Sequence, residues 1–97
     1  MITLFGQHKV KDFDAFMRAA ADGMAENNQR SIDMGIRQTS VYHLANGDGV
    51  LVTHEFDDLE AAQNYERLTK SAEFVAMVEG MGGILPGNFW IGEQLEM

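Results

Sequence analysis

The spacing of hydrophobic residues along this 97-residue chain alternates between two periods, one typical of strands and one typical of helices. Residues 2–7 form an apolar run of β-formers and predict a first strand. The next segment places apolar residues three and four positions apart behind Asp12, which predicts a helix capped by that carboxylate. The apolar stripe of this helix consists of Phe13, Phe16, Met17, Ala20, Ala21 and Met24.

The middle of the chain predicts a loop and then a β-hairpin. Residues 25–35 are polar and end at a glycine, which is typical of a loop. Residues 36–44 and 50–56 are rich in β-branched and aromatic side chains, and they flank the sequence ANGDG, whose residues tolerate positive φ angles. These two runs therefore predict antiparallel strands joined by a short turn.

The last part of the chain predicts helical structure and a final strand. Asp57 or Asp58 is placed to cap one helix, and Ser71 marks a second helix start, so the pattern fits one kinked helix or two separate helices. The apolar positions of this region are Leu59, Ala62, Tyr65, Leu68, Phe74, Met77, Val78 and Met81. The sequence GMGGILPG predicts a turn, because a phosphate-binding loop would precede a helix and carry a Lys and a Ser or Thr. Residues 88–95 predict the last strand.

The predicted order is β-α-β-β-α-β, the split arrangement of ferredoxin-like domains in the α+β class. We expect a four-stranded antiparallel sheet with the helices on one face, built as a single domain over residues 1–97. Alternation along the strands assigns the more apolar side chains to the helix-covered face. The second face then carries Phe5, Leu51 and Trp90 among polar residues, which predicts an interface or a pocket.

Charge and composition disfavour several classes of partner. Fifteen acidic and seven basic residues give a net charge of -8, which disfavours nucleic acid and anionic membranes, and an RNA-binding ferredoxin-like domain would need basic flanks. The chain has no cysteine, in agreement with a reducing compartment. No window has the apolar length of a membrane helix and the N-terminus lacks a signal-peptide pattern, so we expect a cytoplasmic protein.

His54 is the candidate catalytic base. It interrupts the apolar positions Val50, Val52 and Phe56 of one strand, so it is predicted beneath the helices, where an imidazole with a pKa near working pH would act as a general base. The alternative is a core histidine that is hydrogen-bonded to a hydroxyl or a backbone group. The adjacent Glu55 must point to the opposite face, so the two residues are not expected to form a dyad.

Four further residues are candidates for lining a pocket, namely Tyr42, His43, Tyr65 and Trp90. The hairpin register decides whether Tyr42 or His43 shares the face of His54. Tyr65 projects from the second helical region toward the sheet, where a polar-tipped core position is the alternative. Trp90 fits either a pocket lining or an interface anchor.

No metal or cofactor is predicted. Three dispersed histidines without cysteine do not supply the ligand set of a metal site. His8 is expected just beyond the first strand, in solvent.

Three segments carry a family resemblance, and their sequences are HEFDDLEAAQNYERL, SAEFVAMVEGMGG and NFWIGEQLE. Together with the β-α-β-β-α-β order, they resemble members of the dimeric α+β barrel superfamily, whose best-known branch contains the antibiotic-biosynthesis-type monooxygenases. The resemblance spans residues 2–95. It implies a homodimer in which two sheets pack through the faces away from their helices.

The resemblance also implies activity on small molecules, including cofactor-independent oxygenation of aromatic compounds and cyclisation. This chain carries Phe56 and Tyr65 where the monooxygenase branch commonly shows a Trp and a His, so that branch's catalytic residues are not carried over. We expect a monooxygenase-like or cyclase-like homodimer that acts on a small aromatic or carbonyl compound. The alternative is a non-catalytic dimer that binds a small ligand or has a structural role.

Overall fold

Four strands and three helices make up the chain in a computed structural model, which describes residues 1–45, 47 and 49–95 apart from the side chains of residues 22–30. The elements are β1 (Ile2–Val10), α1 (Phe13–Asp33), β2 (Ile36–His43), β3 (Gly49–Phe56), α2 (Leu59–Leu68), α3 (Ala72–Gly80) and β4 (Gly83–Glu93). The predicted hairpin turn includes Asn46 and Asp48, and the predicted helix stripe includes Met24; these positions lie outside the description.

The strands form one antiparallel sheet in the order β2-β3-β1-β4. This arrangement confirms the ferredoxin-like α+β prediction. The two central strands are β3 and β1, so a side chain on either of them has a neighbouring strand on both sides. No helix among the described residues has the length and apolar character needed to cross a membrane.

Local capping explains where the helices begin. Asp12 accepts a hydrogen bond from the backbone N–H of Ala15 through Oδ1 at 3.0 Å, as predicted. Asp58, rather than Asp57, caps α2, because its Oδ1 accepts from the N–H of Ala61 at 2.8 Å. Ser71 caps α3, which shows that the second helical region is two helices.

Three predicted boundaries are wrong. Residues 25–33 continue α1 and do not form a loop, because Ala, Glu, Gln and Arg in this segment are good helix formers and Gly35, with a φ of 86°, follows the end of the helix. The first strand extends three residues beyond Gln7. The last strand already begins at Gly83, directly after Gly82 makes the turn with a φ of 91°.

The core lies between the sheet and the helices, on the face that the strand alternation predicted. Leu4, Val50 and Phe56 are the largest fully buried side chains. One cluster forms around Leu4 and Phe56 and includes Ala62 of α2, while a second joins Val50 to Phe16 of α1. The helices thus cover the two ends of this face with separate clusters.

The second face of the sheet is aromatic and exposed. Phe5 and Trp90 occupy paired positions on β1 and β4, and their rings stack with centroids 5.7 Å apart. Trp90 is 42% exposed, and Tyr42 on the edge strand β2 is 54% exposed. The sheet therefore presents large apolar surface on the side without helices.

Candidate functional site

A cavity of about 430 Å³ lies between the helix-covered face of the sheet and the helices. All three helices and all four strands contribute to its walls, which are mostly apolar. The side chains with polar or aromatic groups that line it are His8, Phe16, Ser31, Thr39, His54, Tyr65, Glu73, Phe74 and Phe89. Such a partly enclosed, apolar space with a few polar groups is typical of a small-molecule site.

His54 enters this cavity from the central strand β3. Thr39 stands directly opposite on β2, and its hydroxyl oxygen lies 2.8 Å from Nδ1 of His54. The pairing belongs to one continuous register that runs from Gln38 opposite Glu55 to His43 opposite Val50, and a register shift follows between Gln38 and Ile36. Because a hydroxyl can donate or accept, Thr39 supports either neutral tautomer of the imidazole.

Burial lowers the pKa of His54 to about 4, because the charged imidazolium loses hydration between the sheet and the helices. This differs from the predicted pKa near working pH. The ring is therefore neutral at pH 7 and presents Nε2 as the atom that remains for a ligand, since only Nδ1 is hydrogen-bonded within the described part of the chain.

An aromatic wall stands beside the imidazole. The ring of Tyr65 lies 4.8 Å from that of His54, Phe74 meets Tyr65 edge-on at 6.3 Å, and Phe89 meets Phe74 at 6.2 Å. The position of the Phe89 ring depends on Gly6, because a Cβ on Gly6 would lie 2.9 Å from that ring. These rings offer edges and faces against which a planar apolar molecule can pack.

A second imidazole lines the same cavity, and the sequence prediction for it was wrong. His8 is not in solvent but only 8% exposed, because β1 continues through it to Val10. The ring meets Phe16 of α1 edge-on at 5.4 Å. The alternation of side chains along the strand could have predicted this position, since His8 follows Ile2, Leu4 and Gly6 in the series of alternate residues that face the helices.

The hairpin register separates the other candidates from the cavity. His43 pairs with Val50, so His43 and not Tyr42 shares the face of His54. At the end of β2, however, His43 is exposed and stacks on Phe13 with centroids 3.9 Å apart, outside the cavity. Tyr42 lies on the second face of the sheet. Of the four pocket candidates, Tyr65 alone shares the cavity with His54.

Trp90 also lies on the second face, next to a different depression. This open, shallow region of about 1000 Å³ lies between the α2–α3 junction and β4, with Glu66, Lys70 and Glu79 among its lining residues. None of its described lining residues is a histidine, and Lys70 and Glu79 are exposed. We therefore assign the candidate chemistry to the smaller, less open cavity.

Glu55 stands apart from this cavity, as the alternation of strand side chains requires. It pairs with Thr3 on β1 and is absent from the described cavity lining. No group of three or more potential metal ligands occurs among the described residues.

Comparison with known proteins shows the fold. A monooxygenase of Streptomyces coelicolor from the gene ActVA-Orf6, solved in complex with the ligand nanaomycin D, matches 99% of this chain and 88% of its own with a TM-score of 0.71 and 11% identity. An antibiotic biosynthesis monooxygenase matches 99% of this chain and 100% of its own, with a TM-score of 0.63 and 12% identity. This chain has the fold of the antibiotic biosynthesis monooxygenases.

The same fold also occurs in proteins without a stated activity. A conserved protein from Methanosarcina mazei matches 97% of this chain and 92% of its own with a TM-score of 0.64 and 14% identity. No family model and no curated protein matches the sequence. The fold predicted from the sequence is thus confirmed by structure. Because the sequence identities are low, the roles of the cavity residues are interpreted from their own chemistry and not from these proteins.

Proposed function

We propose that this chain is a homodimeric, monooxygenase-like or cyclase-like enzyme that acts without a bound cofactor on a small aromatic or carbonyl compound. The observation that carries the proposal is a neutral imidazole, His54, in a partly enclosed cavity beside a wall of aromatic rings. The likeness to monooxygenases of the same fold supports the reaction class. Residues 1–97 would act as one domain.

His54 would contact an acidic hydroxyl of the substrate through Nε2. A neutral imidazole accepts a hydrogen bond from a phenol or an enol, and an anion that forms next to it raises the imidazole's affinity for the proton. Thr39 holds the ring from the opposite side by its contact with Nδ1. The ring of Tyr65 would pack against the substrate and orient it relative to the imidazole.

A second function is favoured by the low pKa of His54. A group with a pKa of about 4 is a weak base at neutral pH, and efficient general bases have pKa values closer to the working pH. The same cavity would then serve a non-catalytic dimer that binds a small ligand. In that case His54 is a hydrogen-bonding group of the binding site.

Binding and oxygen consumption with 2-naphthol distinguish the two functions. A ligand of the native state raises the melting temperature, so 2-naphthol should stabilise the wild type and stabilise His54→Asn less. His43→Asn is the matched control, because His43 lies outside the cavity. Oxygen uptake that requires His54 would support the enzyme, and saturable binding without uptake would support the binding protein. Absence of any stabilisation by hydroxylated one- to three-ring aromatics or quinones would contradict both.

The dimer is proposed from the second face of the sheet. Trp90, Phe5 and Tyr42 lie there without helices to cover them, and an exposed aromatic surface of this kind is typical of an interface. A symmetric dimer would bury the same patch on both subunits.

A further inference from the structure

His8 and His54 lie at opposite ends of one cavity. His54 pairs with Leu4 across β3 and β1, and His8 follows Leu4 by four residues on the same face of β1. Four residues of a strand span about 14 Å, so the backbone positions of the two histidines are separated by roughly that distance along the sheet. Gly6 and Val52 pair between them and have no polar side-chain atoms, so the middle of the cavity floor is apolar.

The hydrogen bond of His8 fixes its neutral tautomer. Nδ1 lies 2.9 Å from the backbone carbonyl oxygen of Lys9, and a carbonyl oxygen only accepts, so Nδ1 carries the proton. Nε2 of the neutral ring is then an acceptor. Nε2 has no hydrogen-bond partner among the described residues. Every fully buried side-chain nitrogen or oxygen atom of the described residues does have a partner, so Nε2 of His8 is not fully buried. Nε2 therefore keeps access to solvent through the cavity.

Two glycines of β4 make room for this imidazole. A Cβ on Gly83 would lie 3.1 Å from Cε1 of His8, and a Cβ on Gly87 would lie 2.9 Å from Cβ of His8. Between these glycines the β1–β4 register shifts, with Gln7 paired to Asn88 and Lys9 paired to Ile84. The extra residues of β4 opposite His8 include Leu85 and Pro86, which are absent from the described lining of the cavity.

We infer that His8 is a specificity-determining residue, which accepts a hydrogen bond at Nε2 from a hydroxyl or N–H group at the far end of a ligand whose near end contacts His54. This inference rests on the proposed function, because it assumes that the cavity holds the ligand. About 14 Å between the two positions, less two hydrogen bonds of about 2.8 Å each, leaves roughly 8 Å between the ligand's polar atoms. Two fused aromatic rings with hydroxyl groups at opposite ends have this length.

Isomeric dihydroxynaphthalenes test the inference. The 2,6 isomer has hydroxyl groups at both ends and the 2,3 isomer has both at one end, with the same composition. We expect the wild type to bind the 2,6 isomer about five- to tenfold more tightly in calorimetric titration, as one additional net hydrogen bond allows. His8→Asn should bring this ratio close to one, since Asn retains a donor near the position of Nδ1 and lacks Nε2. His8→Gln, with an acceptor near the position of Nε2, should restore part of the preference.

His43→Asn is the control variant and should keep the wild-type ratio, because His43 lies outside the cavity. Equal binding of the two isomers to the wild type would overturn the role of His8 and leave the proposed ligand cavity standing. Failure of both isomers and of 2-naphthol to bind would overturn the cavity and, with it, the role of His8.

A measurement on the wild type covers the case in which the His8 variants do not fold. In ¹⁵N spectra of the imidazoles, assigned with His43→Asn and His54→Asn, the His8 resonances should report a proton on Nδ1. The Nε2 resonance should move on addition of the 2,6 isomer and remain in place with the 2,3 isomer. Equal movement with both isomers, or a proton on Nε2, would overturn the inference.

Discussion

At the scale of single residues, His54 links the stability of the fold to pH. Burial lowers its pKa from 6.5 in the unfolded chain to about 4, so the unfolded state binds a proton at a higher pH than the folded state does. Above pH 6.5 both states are neutral and the residue has no effect. As the pH falls from 6.5 to 4, the unfolded state gains the proton first, and the free energy of unfolding decreases.

We predict that the wild type loses about 1 to 2 kcal/mol more stability between pH 7 and pH 5 than His54→Asn does, because the variant lacks the buried imidazole at position 54. Urea denaturation of both proteins at the two pH values measures the difference. His43→Asn should follow the wild type. Parallel losses in the wild type and in His54→Asn would show that the imidazole is not held neutral by burial.

The position of His54 beneath the helices could be predicted from alternation alone, but its partner could not. The pairing with Thr39 follows from the hairpin register, in which His43 pairs with Val50, and a shift of one residue would have placed a different side chain opposite the imidazole. The sequence ANGDG does not determine that register. The burial of His8 was not predicted for a simpler reason. Its polar neighbours Gln7 and Lys9 suggested that the strand had ended, whereas the strand continues and His8 remains on the face that the helices cover.

At the scale of elements, the start of α2 depends on one carboxylate. Asp58 caps the helix, while the exposed Asp57 accepts a hydrogen bond from Nε of Arg37 at 2.7 Å. We predict that Asp58→Ala lowers the free energy of unfolding by about 1 kcal/mol, because the N–H of Ala61 loses its acceptor. Asp57→Ala should cost less than about 0.5 kcal/mol, as is usual for exposed ion pairs.

Chemical denaturation of the two alanine variants, with Asp58→Asn as the conservative replacement, tests this assignment. Asn also caps helices, so Asp58→Asn should stay close to the wild type. A larger loss for Asp57→Ala than for Asp58→Ala would reverse the assignment of the cap.

The β4 strand depends on a glycine for its close approach to β1. A Cβ on Gly87 would overlap the carbonyl oxygen of Gln7 and lie 2.9 Å from Cβ of His8, and the backbone cannot move aside as a side chain can. We predict that Gly87→Ala destabilises the protein by about 1 to 3 kcal/mol and weakens binding at the His8 end of the cavity.

Thermal and urea denaturation measure the stability effect, and Gly80→Ala is the matched control. A Cβ on Gly80 would meet no atom within 4 Å at the end of α3, so this change should be neutral or slightly stabilising. Equal effects of the two substitutions would show that the close approach at Gly87 contributes nothing.

Helices and strands were predicted well where a capping residue or a periodic apolar stripe defines them. They were predicted poorly where the prediction relied on polarity alone. Asp12 and Ser71 mark helix starts that the structure confirms. Residues 25–33 continue α1 although they have little apolar character, since polarity does not break a helix. The glycines before residue 88 suggested a turn, whereas Gly83 to Gly87 are strand residues that let β4 pass close to its neighbour.

At the scale of the whole molecule, two faces of one sheet have different roles in our proposals. The helix-covered face holds the cavity, and the open face holds the Phe5–Trp90 stack. Alternation along the strands separates them, so a substitution on one face leaves the side chains of the other in place. If the cavity binds a ligand and the open face forms a dimer, as we propose, substitutions can alter the two independently.

Trp90 tests the dimer. We predict that the wild type sediments at twice the mass of the 10.8 kDa chain, and that Trp90→Ala raises the dissociation constant of the dimer by about 30-fold or more, because a central Trp contributes about 2 kcal/mol or more to an interface. Sedimentation velocity over a range of protein concentrations measures this shift.

Leu59→Ala and His54→Asn are the controls for Trp90. Leu59 is 48% exposed on α2, similar to Trp90 at 42%, but it lies on the helical side of the sheet. Its removal should leave the dimer intact, and so should the loss of the imidazole from the cavity. If Leu59→Ala dissociated the protein as readily as Trp90→Ala, or if the wild type were monomeric at micromolar concentration, the open face of the sheet would not be the interface, and its exposed aromatic rings would require another partner.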